Sequence, residues 1–139
     1  MIYPPVNMAV IIGATVARMV ISMIWLSPML FWPAWSRYAG ISMAKAKKNM
    51  WHGPVVYAIG SFLMAFVLAH AIFYSGARTL PLGLAVAFFN WLGFVAVREL
   101  TSVTDQKKPL GLFAVNAGMD LVSMLAMGAI IAKWGLRWV

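Results

Sequence analysis

The sequence predicts an all-α polytopic membrane protein, a four-transmembrane-helix bundle with a short interfacial helix in its first loop. Three observations carry that prediction. Of 139 residues, 63% are hydrophobic and 10% charged, at a mean hydropathy of +0.86. That leaves too little polar surface for a soluble domain of this length. Four apolar runs, 6–28, 54–76, 80–100 and 110–132, each reach the ~18 residues that read as a spanning helix. Prolines punctuate every start. The whole chain, 1–139, reads as one transmembrane domain.

Pro4 and Pro5 precede the first span, and the tail before it, MIYPPVNMAV, has no Lys or Arg. A secretory leader needs a basic n-region, and Arg18 falls inside what would be its apolar core, so this span is expected to be retained. Pro28 and Pro33 bracket its exit, where proline turns the chain. Pro54 opens the second span, Pro81 lies in the first turn of the third, and Pro109 precedes the fourth. Proline is tolerated there because the N–H it lacks would be unpaired in a first turn.

The loop 29–53 is the only sizeable extramembrane segment. Its stretch ISMAKAKKNMW predicts a short helix with Ser42 as cap and Lys45, Lys47 and Lys48 on its polar side. Such a segment lies in the interface plane against anionic lipid, anchored by Trp32, Trp35 and Trp51. Trp134 and Trp138 anchor the far end of the fourth span in the same way. Lys and Arg counts set the orientation. Seven fall in the first and third loops (Arg37, Lys45, Lys47, Lys48, Arg98, Lys107, Lys108) against three on the other side (Arg78, Lys133, Arg137). The expectation is that both loops are cytoplasmic and both termini lie outside.

Two charges interrupt the apolar runs, Arg18 in the first span and Asp120 in the fourth. At 1.5 Å per residue both lie roughly 15 Å from the cytoplasmic ends of their helices, near the middle of a ~30 Å core. Ionisable groups in a span are costly, which makes this pair the leading site candidate. Asn90 in the third span falls at a similar level, and Asn116 shares a face of the fourth with Asp120 and Ser123. Two roles are open to these four residues. A buried pair can hold helices in register, because removing one partner strands the other; it can also line a transport pathway. His70 is a secondary candidate for proton relay or ligand binding, set against packing among Phe66, Phe73 and Tyr74. Trp91 beside Asn90, together with the aromatic interface, is the basis of a third reading, a lipid- or quinone-binding protein.

Other chemistries lack their residues. The net charge of +8 is scattered among loops, unlike the dense basic face that nucleic acid requires. There is no cysteine, and two histidines with three acids cannot build a familiar metal set. Eleven methionines show no repeated ligand spacing and read as packing. With no phosphate loop, nucleophile elbow or paired carboxylates, no enzymatic activity, metal or cofactor is expected.

Three blocks are shared with a known family: IWLSPMLFWPAWSRYAGIS, with Trp25, Pro28, Phe31 and Trp35; FFNWLGFVAVRELTS; and LGLFAVNAGMDLVSMLAMGAIIAKW. Across its whole length the chain resembles the small bacterial integral membrane proteins grouped as domain of unknown function 1761. The Trp-x-x-Pro segment and Asn116–Gly118 are the most specific pieces. The resemblance implies four membrane helices in a bacterial inner membrane and supplies no activity. Relatives tend to have Tyr-His where this chain has Met119-Asp120, and a more acidic first loop. By that resemblance, the Arg18–Asp120 pair is expected to be a specialisation of this chain. The leading expectation is a non-catalytic accessory or structural subunit, contacting lipid and a larger membrane complex or further copies of itself. The alternative is a small homo-oligomeric transporter or channel with a midplane Arg–Asp site.

Overall fold

A computed structural model of the chain describes residues 6–41 and 52–135, which form five helices. They are α1 (Met8–Trp25), α2 (Trp32–Ala39), α3 (His52–Tyr74), α4 (Leu80–Asp105) and α5 (Leu110–Gly135). All but α2 are long and apolar enough to cross a bilayer. Their outward faces stay apolar and exposed, as in the stripes Ile12, Val16, Val20 and Met23 on α1 and Val56, Ile59, Leu63 and Val67 on α3. Continuous apolar surface of this extent belongs in lipid, as on a multi-pass membrane protein.

Local chemistry sets the helix ends. Asn7 caps α1, its Oδ1 accepting from Ala9 N at 3.0 Å, and Thr79 caps α4 in the same way through Leu82 N. α1 stops at Trp25, three residues before Pro28, which is shorter than the expected span. α2 lies inside the segment expected to be loop. It starts with Pro33 in its first turn and ends at Gly40, whose φ of 68° is the left-handed C-terminal conformation that glycine adopts freely. The helix expected over ISMAKAKKNMW, with Lys45, Lys47, Lys48 and Trp51, lies outside the described residues, as does Trp138. α4 runs five residues past the expected end at Leu100. It widens over Trp91–Ala96 into a π-helical stretch closed by i→i+5 hydrogen bonds.

The helices pack side by side in the order α3, α1, α5, α4. α1 and α5 are antiparallel and in register along their length, from Asn7 N donating to Gly135 O (3.0 Å) to Trp25 Nε1 donating to Val115 O (3.1 Å). α4 meets α5 through small residues. A Cβ on Gly128 would sit 2.8 Å from Ala87 Cβ, closer than real contacts permit, so backbones approach only because the side chain is missing. Ile11, Ala65, Leu68, Ile72, Met127 and Ile131 fill the apolar core between α1, α3 and α5. α3 and α4, although joined by five residues, touch little. A groove of about 460 Å³ separates them, lined by Leu63, Met64, Val67, Leu68, Asn90, Phe94, Val95 and Met124.

Candidate functional site: an intramembrane polar cluster

Arg18 reaches the interior because its turn of α1 faces both α3 and α5. The residue is 7% exposed. Its Nη2 donates to Asp120 Oδ1 at 3.1 Å and its Nη1 to Ser61 Oγ at 2.6 Å. The guanidinium lies over the Tyr57 ring, 4.2 Å from its centre, where the π face attracts a cation. One side chain therefore ties α1 to both neighbours.

Hydroxyl groups extend the network in a definite direction. Ser61 Oγ accepts from Arg18 and donates to Tyr57 O at 2.7 Å. Ser22 Oγ donates to Arg18 O at 2.8 Å, which leaves the Tyr57 hydroxyl to donate to Ser22. Among the described residues two buried atoms, Arg18 Nε and Ser123 Oγ, have no hydrogen-bond partner. The Asp120 side chain is 16% exposed, twice the figure for Arg18.

Nothing in the sequence reading pointed to Tyr57 and Ser61. Their spacing of four, matching that of Arg18 and Ser22, places two hydroxyls on one face of α3, and this was the available signal. Mildly polar residues are common in membrane helices, so the spacing alone was weak.

The other candidates sit elsewhere. Asn116 lies one turn from Asp120 but binds Trp35, whose Nε1 donates to its Oδ1 at 3.0 Å. Trp35, expected at the headgroup layer, is half-buried and fastens α2 to α5, while stacking on Trp32 at 5.3 Å. Asn90 does not join Arg18. Its Nδ2 donates to Val86 O one turn back at 2.8 Å, and the residue lines the α3–α4 groove. Trp91 is pinned to α5, its Nε1 donating to Ala117 O at 2.9 Å. His70 Nδ1 lies 2.7 Å from Phe66 O, and its ring is 4.4 Å from that of Phe66. Trp134 is exposed, with Lys133 Nζ 4.8 Å above its ring.

These contacts give Asn116–Gly118 a physical meaning. Three indole N–H groups, from Trp25, Trp35 and Trp91, converge on Val115 O, Asn116 Oδ1 and Ala117 O within a single turn of α5. Gly118 leaves room for the arriving ring, since a Cβ there would lie 3.3 Å from Trp25 Cζ2. A carboxamide, a methyl and a hydrogen in sequence let three bulky donors reach two backbone carbonyls and one side-chain amide on a single turn. Among the described residues no three potential metal ligands group together.

Comparison with known proteins bears on this arrangement. No curated protein and no solved structure matches the chain. A family model described as "Protein of unknown function (DUF1761)" matches residues 9–132, which takes in α1 except for its first residue, the tryptophan-binding turn and Asp120. The chain belongs to that family.

Proposed function

We propose that this protein is a non-catalytic integral membrane protein, an accessory or structural subunit that packs against a larger membrane complex. The carrying observation is where Arg18 spends its charge. Nη1, Nη2 and the π face of Tyr57 are all engaged between α1, α3 and α5 of one chain, the pattern of a clamp that holds helices in register. The outer faces carry apolar side chains suited to lipid or to another membrane helix. In this reading the chain lies in a bacterial inner membrane with both termini outside the cytoplasm. The basic first loop rests on anionic headgroups.

The partial exposure of Asp120 favours a second reading, a small homo-oligomeric transporter in which that carboxylate meets a pathway formed between copies. One experiment separates the two. A tagged copy is extracted gently from its native membrane, and what co-purifies is identified by mass spectrometry. A stoichiometric larger complex supports the subunit; a homo-oligomer alone moves the weight to transport. Flux into liposomes that depends on Asp120 then tests that reading directly.

A further inference from the structure

The wall of the α3–α4 groove combines apolar side chains with a polar group at mid-depth. Asn90 lies ten residues past Leu80, roughly 15 Å along α4 and so near the centre of a ~30 Å apolar core. It lines the 460 Å³ groove and also a second hollow of about 370 Å³ toward Ser75 and Gly76, so it stands at the junction of the two. The volumes fall within the range of small-molecule sites.

The hydrogen-bonding state of Asn90 defines what fits. Its Nδ2 is committed to Val86 O. Among the described residues no donor reaches its Oδ1. An acceptor left open at this depth is costly, because water and lipid headgroups lie at the membrane boundary. The occupant that relieves it must be soluble in the hydrocarbon core and must donate.

The π-helical stretch shapes the apolar part. In an α-helix a residue five positions on is rotated by about 140°, so Val95 would turn away from the Asn90 face. Over Trp91–Ala96 the i→i+5 closure brings Val95 as well as Phe94 into the groove below Asn90. Such wide turns recur at functional sites in helices.

We infer that the α3–α4 groove binds a neutral, membrane-soluble molecule with a long apolar body and one mid-chain hydroxyl, which donates to Asn90 Oδ1. The site is separate from the Arg18 cluster and does not depend on whether the protein is a subunit or a transporter.

The test uses a mid-chain hexadecanol as probe, with hexadecane and the methyl ether of the same alcohol as controls. Each is titrated into the purified full chain in detergent, and bound adducts are counted by native mass spectrometry. The expected result is one alcohol per chain, held roughly tenfold more tightly than either control, as one added hydrogen bond implies. Asn90→Leu keeps alkane binding and loses the preference. Leu63→Trp, at an exposed position in the groove wall, removes saturable binding of all three. Equal binding of alcohol and ether to the unaltered protein overturns the proposal, whatever the stability of the Asn90 variant. So does saturable binding that survives Leu63→Trp. A third control uses the absence of native cysteine: efficient Phe94→Cys disulfide dimers in native membranes would mean that a second copy fills the groove.

Discussion

Two seams of this molecule are built on opposite principles. Along α1–α5 the contacts are polar and specific at three levels, Asn7 with Gly135, Arg18 with Asp120 and Trp25 with Val115. Along α3–α4 the walls are apolar except for Asn90, the helices are joined by a short turn, and a groove remains open. In lipid, apolar surface gains little by leaving the solvent, so adjacency in sequence does not force contact. Buried polar groups do force it, because each one stranded in hydrocarbon is costly. The closed seam is closed where the side chains have no alternative.

This comparison can be broken in graded steps. The largest effect is expected at the ion pair. Asp120→Asn leaves the Arg18 charge without its counterion, and should cost about 3–5 kcal/mol in unfolding from detergent. Adding Arg18→Gln should recover more than half of that loss, and additive losses would mean that the pair does not act as a unit. Next comes the small-residue crossing of α4 on α5. Gly128→Leu drives a side chain into Ala87 and should cost roughly 1–3 kcal/mol by the same measurement. Third are the tryptophan clamps. Trp91→Phe removes the donor to Ala117 O but keeps the ring, for a loss of about 0.5–1.5 kcal/mol. The smallest effect belongs to the open seam: Asn90→Leu sacrifices only a bond within its own helix and should change stability by less than about 0.5 kcal/mol. A loss as large as that of Asp120→Asn would erase the distinction between the seams.

Much of the architecture was legible in the sequence. Long apolar runs bounded by Pro54, Pro81 and Pro109 leave little freedom in where the helices start, and a fixed rise per residue puts Arg18 and Asp120 at matching levels of their helices, where they meet. Depth is a one-dimensional quantity. The rotation of each helix about its axis is fixed by packing, which is why Asn90 and Asn116, at suitable levels, face other partners. The signals for α2 were present in Pro33 and Gly40, but eight residues between a proline exit and a basic stretch also fit a loop. The wide turn at Trp91–Ala96 has no sequence signature of its own. It becomes intelligible only once Trp91 is seen fastened to α5.

The separation of Arg18 from Asp120 along the chain, 102 positions, bears on how the protein is made. At ~5–20 residues per second a ribosome takes roughly 5–20 s to cover that distance. The first helix therefore enters the bilayer with its guanidinium long before the carboxylate exists. Ser61, 43 positions on, is synthesised well ahead of Asp120, and Tyr57 earlier still. The hydroxyl and the ring can thus shelter the charge while the rest of the chain is completed. In order of synthesis, the α1–α3 contacts of Arg18 are the first that can form, and the last helix supplies the final partner of the cluster.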